Sequence, residues 1–366
     1  MKVAVHVDQL FASVPGGIGT YIRELVPALA EEGADVVLFH SRFGRPLEET
    51  WARDFPVAEL PKTTKALYPR WNLTASPHLP KALASADVVH APLPAAIPPV
   101  GDHQRLVVTV HDVAFLVEPR SFPFRWRALY RTGLRAAAKR ADAMITPSRN
   151  TAEDVVSRTG VDPGKIHVVS EAASLPTGAI DPGPTLTRLK LPSRYLLFVG
   201  TLEPRKNLIR LIRAYRRAAA ADIPHALVLA GAIGWNSEPL MRELALAGPG
   251  EILLTGRLPS EDLDAVYRGA SALAYVSTYE GFGLPVLEAM ARGVPVVCSN
   301  TSSIPEVSGD AALLVDPRSL REIESALKRV LTDTGLAEGL VRAGVDRAAT
   351  FSWSKAAQET LEVYRG

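Results

Sequence analysis

The sequence predicts an α/β protein made of two tandem Rossmann-like domains. Short apolar runs rich in β-branched residues alternate with stretches of helical spacing, and this pattern occurs twice along the 366 residues. Unbroken apolar strands that alternate with helices are typical of parallel sheets covered on both faces. A chain of this length also exceeds what one hydrophobic core usually serves, so two domains are expected.

The first series of apolar runs predicts the strands of an N-terminal domain over residues 1–180. After the first run, Ile22, Leu25, Val26 and Leu29 form one apolar stripe, which predicts an amphipathic helix. The strands of this series are expected at Lys2–Val7, Asp35–Phe39, Asp87–His90, Leu106–Val110, Ala143–Thr146 and Ile166–Val169.

A segment rich in proline and glycine interrupts this pattern at residues 174–193. It holds four prolines and two glycines, which is typical of an interdomain linker. Helical spacing resumes at Leu208–Ala219, and we expect a C-terminal domain over residues 190–350 followed by a helical segment over residues 351–366. The strands of the second series are expected at Tyr195–Val199, Ala226–Ala230, Glu251–Thr255, Ala272–Val276, Pro295–Cys298 and Ala312–Val315.

This arrangement also predicts where a ligand binds. Ligands of doubly wound sheets bind beyond the carboxyl ends of the strands. Two such domains would form a cleft where these strand ends face each other.

Composition excludes several classes of protein. The formal net charge of +2 is too small to indicate a nucleic-acid partner. Cys298 is the only cysteine, so neither an intrachain disulfide nor zinc spacing is expected, and a reducing compartment is favoured. The run from Met1 to Asp8 is typical of a buried first strand rather than a signal peptide. We expect a cytoplasmic protein without a membrane span or a cofactor.

Glycines precede the first predicted helix of the N-terminal domain. Gly16, Gly17 and Gly19 fall between the first strand and Tyr21, where we expect the helix to open. Backbone N–H groups at such a junction can approach an anion, and the helix dipole adds partial positive charge. A purely structural turn is the alternative, and the dinucleotide fingerprint Gly-x-Gly-x-x-Gly is absent.

The corresponding junction of the C-terminal domain carries two cations. Gly200-Thr-Leu-Glu-Pro-Arg-Lys-Asn207 follows a predicted strand and precedes a helix. Arg205 and Lys206 suit a diphosphate, because arginine offers a fork of donors and lysine a point charge. The other interpretation is a solvated basic pair with Asn207 as the helix cap, although the helix dipole disfavours cations at this end.

Two glutamates flank the next glycine-rich loop. Glu280-Gly-Phe-Gly-Leu-Pro-Val-Leu-Glu288 follows the strand predicted at Ala272–Val276, and Pro285 fits the first turn of a helix. Glu280 then lies in the loop and Glu288 about one turn inside the helix. Carboxylates suit pairs of sugar hydroxyls, but Glu288 could instead complement the helix dipole.

A second acidic motif has a structural interpretation. Asp262 and Asp264 match the Asp-x-Asp pattern that holds a metal in other transferases. Here we expect Ser260 to cap a helix whose first turn these acids enrich. No metal site is predicted.

Together these motifs resemble glycosyltransferase family 4. The resemblance rests on Gly200–Asn207, on Glu280–Glu288, on Arg257 in Thr-Gly-Arg-Leu and on Ser302–Pro317, and it covers nearly the whole chain. It implies the GT-B fold, with a last helix that packs back on the N-terminal domain. The chain is similar in particular to mannosyltransferase-type members that use GDP-mannose.

The resemblance implies a role for each matching residue. Arg205 and Lys206 would hold the donor diphosphate and stabilise the leaving group, and Glu280 would contact the donor sugar. Glu288 would bind the ribose, and His111 would lie near the reacting sugar. The remaining donor-binding positions are Gly16, Gly17, Gly200, Arg257, Gly281, Phe282, Gly283 and Leu284.

The resemblance also implies retention of configuration. A front-face displacement, in which the leaving phosphate assists deprotonation of the acceptor, is the favoured family mechanism, and no nucleophile is assigned. The expected partners are a nucleotide-diphosphate sugar and a glycan or lipid-linked acceptor. A UDP-sugar donor, a sugar-nucleotide epimerase, a non-catalytic sugar-nucleotide-binding protein and a nicotinamide-linked oxidoreductase are the alternatives.

Three segments bear on the acceptor side. Val169–Ala173 stands where the family often has Pro-Asn-Gly-Val-Asp. Residues Arg120–Arg140 hold seven basic residues and no acid, which suits peripheral contact with the inner face of a membrane or a solvated helix face. Tyr68 and Trp71 suit either stacking on a sugar or packing.

Overall fold

The chain consists of two α/β units. The computed structural model describes residues 1–174, 181–220, 223–246, 248 and 250–366. The first unit comprises Met1–Glu171 and Ser352–Gly366, and the second comprises Ala172–Phe351.

The first unit is built on a seven-stranded parallel sheet with the order β3-β2-β1-β4-β5-β6-β7. All six predicted strands are confirmed to within one residue. The strand Val57–Glu59 was not predicted, because it has three residues at the sheet edge and an exposed Val57. The strands are β1 (Lys2–His6), β2 (Asp35–His40), β3 (Val57–Glu59), β4 (Val88–Ala91), β5 (Arg105–Thr109), β6 (Ala143–Thr146) and β7 (Ile166–Val168).

The second unit is built on a six-stranded parallel sheet with the order β10-β9-β8-β11-β12-β13. Its six predicted strands are also confirmed to within one residue. The direction of winding reverses between β8 and β11, and ligands of such sheets bind beside this point. The strands are β8 (Tyr195–Val199), β9 (Ala226–Ala230), β10 (Ile252–Gly256), β11 (Ala272–Tyr275), β12 (Val296–Ser299) and β13 (Leu313–Val315).

Helices alternate with these strands. In chain order they are α1 (Gly16–Glu31), α2 (Thr64–Thr74), α3 (Ala114–Val117), α4 (Phe124–Arg140), α5 (Arg149–Thr159), α6 (Gly183–Arg188), α7 (Leu208–Ala219), α8 (Glu238–Leu244), α9 (Ser260–Arg268), α10 (Leu284–Ala291), α11 (Ile304–Ser308), α12 (Leu320–Thr332), α13 (Thr334–Ala348) and α14 (Trp353–Arg365).

The last helix belongs to the first unit. Ser352 caps α14 by accepting a hydrogen bond from the backbone N–H of Lys355 at 3.1 Å. Leu361 and Tyr364 of α14 are buried in the same core cluster as Leu25 of α1. This core extends to the strands of the sheet, so the C-terminal segment completes the N-terminal fold.

Part of the segment predicted as a linker is helical. Residues 175–180 lie outside the described residues, but Gly183–Arg188 forms α6. Pro184 lies in the first turn, where a missing N–H and a fixed φ are compatible with a helix. Leu186 packs against the core of the second unit. None of the helices in the described part of the chain combines the length and the hydropathy needed to cross a membrane.

Candidate active site

Two glycine-containing segments meet at the carboxyl edge of the second sheet. Gly200–Asn207 follows β8 and Val276–Gly283 follows β11, and these two strands are neighbours in the sheet. The backbone N–H of Thr278 donates to the carbonyl of Arg205 at 2.9 Å. The order of the parallel strands therefore brings together two motifs that lie about 75 residues apart.

Glu280 forms ion pairs with both predicted cations. Its Oε2 accepts a hydrogen bond from Nη1 of Arg205 at 2.6 Å, and its Oε1 accepts one from Nζ of Lys206 at 2.6 Å. Arg205 also lies 2.6 Å from Glu203 through Nε, and it donates to the carbonyl of Tyr279 at 3.1 Å. These four side chains and the carbonyl of Tyr279 form one cluster, in which Glu203, Lys206 and Glu280 are buried.

The charges of this cluster are strongly coupled. Burial alone would raise the pKa of Glu280, but Arg205 and Lys206 outweigh that effect and lower the pKa to about 2. Burial and the neighbouring Arg205 lower the pKa of Lys206 more than Glu280 and Glu203 raise it. Glu280 is therefore an ionised carboxylate at neutral pH and serves only as a hydrogen-bond acceptor.

Tyr275 is a member of the cluster that the sequence did not reveal. Its hydroxyl accepts a hydrogen bond from Nζ of Lys206 at 2.6 Å, and the ammonium lies 5.0 Å from the centre of the ring. Burial raises the pKa of Tyr275 well above its ordinary value, so the side chain stays a neutral phenol. The sequence could have indicated Tyr275 only through its position as the last residue of β11, because residues at the carboxyl ends of the strands line the site.

Serines at the start of α11 hold the loop that carries Glu280. The Oγ of Ser303 donates to the carbonyls of Glu280 at 2.9 Å and Phe282 at 2.8 Å, and the Oγ of Ser302 accepts from the N–H of Glu280 at 3.0 Å. Gly283 precedes α10 with φ of +119°, and a Cβ there would lie 2.6 Å from Ile304. Only glycine fits this position.

Glu288 lies within α10, as predicted, and has a side-chain partner. Its Oε2 accepts a hydrogen bond from the hydroxyl of Tyr267 at 2.7 Å. The guanidinium of Arg292 lies 5.0 Å from the centre of the Tyr267 ring and donates to the backbone carbonyl of Glu288 at 2.9 Å. These contacts fix the orientation of a half-buried carboxylate one helical turn beyond the Glu280 loop.

Gly200 and Arg257 follow β8 and β10, two strands of the same sheet that are separated by β9. Gly200 follows β8 with φ of +144°, and a Cβ on Gly231 would lie 2.0 Å from its carbonyl oxygen, so the two turns after β8 and β9 approach closely. Arg257 follows β10 and is exposed. Gly281 and Phe282 lie in the loop before α10, and Leu284 is the first residue of that helix. All three are buried.

Asn207 has a different role from the predicted helix cap. It precedes α7 with φ of +59°, and its side chain makes no capping bond. Its Nδ2 instead donates to the carbonyls of Val276 at 3.0 Å and Pro317 at 2.7 Å. Asn207, which directly follows the basic pair, thus connects this loop to the segments that follow β11 and β13.

The acidic motif on α9 binds arginines. Asp262 pairs with Arg188, and the buried Asp264 accepts hydrogen bonds from Arg268 at 2.7 Å and Arg292 at 2.6 Å. Ser260 is the first residue of α9 and makes no capping bond, so its predicted capping role was wrong. Pro259 occupies the capping position instead. Among the described residues, no group of three or more His, Cys, Asp or Glu could hold a metal ion.

In the first unit, Gly16 and Gly17 are exposed in the first turn of α1. The helix opens at Gly16 rather than at Tyr21 as predicted, because the carbonyl of Pro15 already accepts the first helical hydrogen bond, from the N–H of Gly19 at 3.1 Å. His111 follows β5, and its Nδ1 lies 2.8 Å from Oε1 of Glu171.

Tyr68 and Trp71 are packing residues. Both are buried, and the hydroxyl of Tyr68 donates to Asp8 at 2.8 Å. The indole N–H of Trp71 donates to the carbonyl of Pro77 at 3.0 Å. Of the two interpretations of this pair, burial favours packing over stacking on a sugar.

Family models match both halves of the chain. Residues 15–173 match the model described as Glycosyltransferase Family 4, and residues 187–347 match Glycosyl transferases group 1. The O-antigen chain mannosyltransferase B of Escherichia coli is 33% identical over 269 residues, which cover 72% of this chain and 70% of the relative. The serotype-specific mannosyltransferase WbdA of Escherichia coli is 30% identical over 270 residues, covering 70% of this chain but 33% of WbdA.

Solved structures share the fold. Sucrose-phosphate synthase from Thermosynechococcus elongatus aligns with a TM-score of 0.77 and 22% identity, over 100% of this chain and 98% of that one. HepE from Anabaena, in complex with UDP-glucose, aligns with a TM-score of 0.74 and 16% identity, over 99% and 98%. These structures share the GT-B fold, and the family models together with the match to mannosyltransferase B show that the chain belongs to glycosyltransferase family 4.

Proposed function

We propose that this glycosyltransferase transfers mannose from GDP-mannose, with retention of configuration and without a metal, to a glycan or lipid-linked glycan acceptor. The product would enter polysaccharide or glycoconjugate biosynthesis. The observation that carries the proposal is the cluster in which Glu280 joins Arg205 and Lys206 at the β8–β11 edge. The names of the mannosyltransferase relatives support the choice of sugar.

The two cations suit the leaving diphosphate. Breaking a glycosyl–phosphate bond develops negative charge on the diphosphate, and preorganised cations stabilise that charge in a site of low dielectric. Arg205 supplies a delocalised guanidinium charge, whereas Lys206 supplies a compact one. Glu280 holds both side chains in place in the folded chain, so they lose little conformational entropy when a donor binds.

The carboxylate of Glu280 suits the hydroxyls of the transferred sugar. A carboxylate with a pKa of about 2 neither donates a proton nor serves as an effective base at neutral pH. We therefore assign it to hydroxyl recognition rather than to acid–base catalysis. The N–H groups of Phe282, Gly283 and Leu284 would contact the same donor.

The remaining assignments follow the family pattern. Glu288, held by Tyr267, would bind the ribose, and Gly200, Arg257 and Gly281 would contribute to donor binding. Gly16 and Gly17 would approach the donor phosphates or the acceptor, and His111 would lie near the reacting sugar. The phosphate that leaves would assist deprotonation of the acceptor hydroxyl, without a covalent enzyme intermediate.

Thermal shift with a panel of ligands tests the donor assignment. GDP and GDP-mannose should raise the midpoint of unfolding with a concentration dependence that follows mass action. UDP and UDP-glucose should have little effect at equal concentration. Shifts given only by the UDP ligands would overturn the choice of GDP-mannose, and a donor that binds without ever being turned over would indicate a non-catalytic binding protein.

Stereochemistry and metal dependence are tested on the reaction itself. The proposal expects an α-mannoside product from the α-linked donor, with the same rate before and after treatment with EDTA. A β-linked product, or activity lost with EDTA and restored by a divalent ion, would contradict the corresponding part of the proposal.

We further propose that α4 makes peripheral contact with an anionic membrane at the cytoplasmic face. Its buried face includes Leu134, whereas Phe124 and Trp126 are 77% and 53% exposed near its start. Arg131, Arg135 and Lys139 are exposed along the helix. Aromatic side chains next to a basic stripe are typical of helices that lie in a lipid interface.

A further inference from the structure

Glu171 is bound to the histidine that the family pattern places near the reacting sugar. Nδ1 of His111 and Oε1 of Glu171 lie 2.8 Å apart, and the side chains are 13% and 5% exposed. His111 follows β5 and Glu171 lies just beyond β7, so the pair joins two strand ends of the first sheet. The contact spans 60 positions in sequence, and no spacing rule could reveal it.

The surroundings fix the imidazole ring from several sides. Nε2 of His111 lies 3.2 Å from the carbonyl oxygen of Pro92. The ring of Tyr21 packs against it edge to face with centroids 4.7 Å apart. Tyr21 and His90 are the other titratable neighbours named here. Burial raises the pKa of Tyr21, and burial followed by the charge of His111 lowers the pKa of His90 to about 3, so both stay neutral. Glu171 is the only negatively charged group in this set.

Hydrogen-bond chemistry determines which ring nitrogen carries a proton. An ionised carboxylate accepts hydrogen bonds and cannot donate them, so Nδ1 must be the donor to Glu171. The carbonyl of Pro92 also accepts, but it is neutral and farther away. A charge-assisted bond is roughly twice as strong as a neutral one, so a single proton on the ring occupies Nδ1.

We propose that Glu171 is a positioning residue for glycosyl transfer, which holds the proton of His111 on Nδ1 and fixes the plane of the ring. The proposal rests on the proposed function, because it assigns His111 to the reacting sugar. Glu171 lies in the segment Val169–Ala173, where this chain departs from the common family sequence. The departure therefore supplies a carboxylate to the candidate catalytic histidine.

Nitrogen-15 NMR of the full-length protein tests the pair without a donor. One of the eight histidines is assigned to His111 by the signal that His111→Asn removes. At alkaline pH, the proton should lie on Nδ1 in the wild type and move to Nε2 in Glu171→Leu. A wild-type ring that carries its proton on Nε2 would overturn the proposal, whatever the donor proves to be.

Steady-state kinetics then separates positioning from folding. Glu171→Leu should lower kcat about a hundredfold, the loss that misplacement of a reacting group can cause, with the donor KM nearly unchanged. Glu171→Gln, which keeps an acceptor oxygen, should recover part of that loss. In a His111→Ala background, Glu171→Leu should have no further effect, because the two residues act as one unit.

Glu243→Leu provides a matched control. Glu243 is buried and pairs with Arg213 at 2.7 Å on the outer helices of the second unit. Its loss should lower the midpoint of unfolding and leave kcat unchanged. If Glu171→Leu lowers kcat equally in the wild-type and His111→Ala backgrounds, Glu171 does not act through His111 and the proposal fails. If no nucleotide sugar is turned over, the proposed function fails, and the NMR result alone decides whether the pair exists.

Discussion

Oε1 of Glu280 lies 2.6 Å from Nζ of Lys206, and both side chains are buried. A buried ion pair is weak evidence for stability, because desolvation offsets much of the attraction between the charges. Arg205 engages the other carboxylate oxygen, and under the proposed function this arrangement orients two cations for an anionic ligand.

We expect Glu280→Gln to reduce glycosyl transfer by about a hundredfold or more, in line with the loss of one preorganised electrostatic contact. The amide keeps the shape of the side chain but removes the charge that orients Arg205 and Lys206. Initial rates at saturating donor provide the measurement. Glu324→Gln, which removes a carboxylate paired with Lys328 on α12, should behave like the wild type. Equal activity in both variants would refute the site assignment.

Glu288 and Tyr267 give a prediction about the nucleoside. Removing the carboxylate with Glu288→Ala should weaken donor binding by about tenfold, as expected for a hydrogen bond to a charged group. Tyr267→Phe should have a smaller effect in the same direction, because it frees the carboxylate without removing it. Calorimetric titration with GDP measures both. Unchanged affinity for GDP in Glu288→Ala would exclude its contact with the ribose.

His90 predicts that stability falls in mild acid. Its pKa is lowered from 6.5 to about 3 in the folded chain, so below pH 6.5 the unfolded chain takes up a proton that the native state excludes. Stability should then decrease by up to about 1.4 kcal/mol per pH unit as the pH falls towards 3. Urea midpoints between pH 7 and pH 4 should show this slope.

A histidine variant separates this effect from general acid unfolding. His90→Gln should be less stable at pH 7, because the hydrogen bonds to Thr109 and Tyr364 are altered, but its midpoint should fall less with pH. A variant with the wild-type pH dependence would show that His90 is not the group responsible.

The membrane proposal predicts binding to anionic vesicles. The wild type should co-sediment with vesicles of phosphatidylglycerol and phosphatidylcholine, and less with phosphatidylcholine alone, because basic residues contribute about 1 kcal/mol each near an anionic surface. Phe124→Ser with Trp126→Ser should reduce binding while the fold is kept, since both side chains are exposed. Leu314→Ser, at another exposed apolar side chain, is the control. Equal binding by all three proteins would contradict a role for α4.

Much of the fold could be predicted because buried parallel strands appear in the sequence as unbroken apolar runs. Tyr195–Val199 and Ala226–Ala230 are unbroken apolar runs, and both are strands with the predicted bounds. Val57–Glu59 is not an apolar run, because an edge strand of three residues is only partly buried. The start of α1 was misplaced since glycines alone do not show where helical dihedral angles begin.

The candidate site was predictable where strand order controls it. Arg205, Lys206 and Glu280 follow neighbouring parallel strands, and that topology brings them together. Tyr275 was missed because it reads as an ordinary strand residue. Glu171 was missed as a partner of His111 because the contact depends on how two loops fold beyond their strands, which periodicity does not encode.

Transfer of labelled mannose tests the central claim most directly. Full-length protein is incubated with carbon-13 mannose in GDP-mannose and with a pool of glycan and lipid-linked acceptors, and products are detected by mass spectrometry. We predict a labelled product that α-mannosidase cleaves, formed by the wild type and almost absent with Glu280→Gln. Transfer of glucose from UDP-glucose with no transfer of mannose, or equal product from both proteins, would contradict the account.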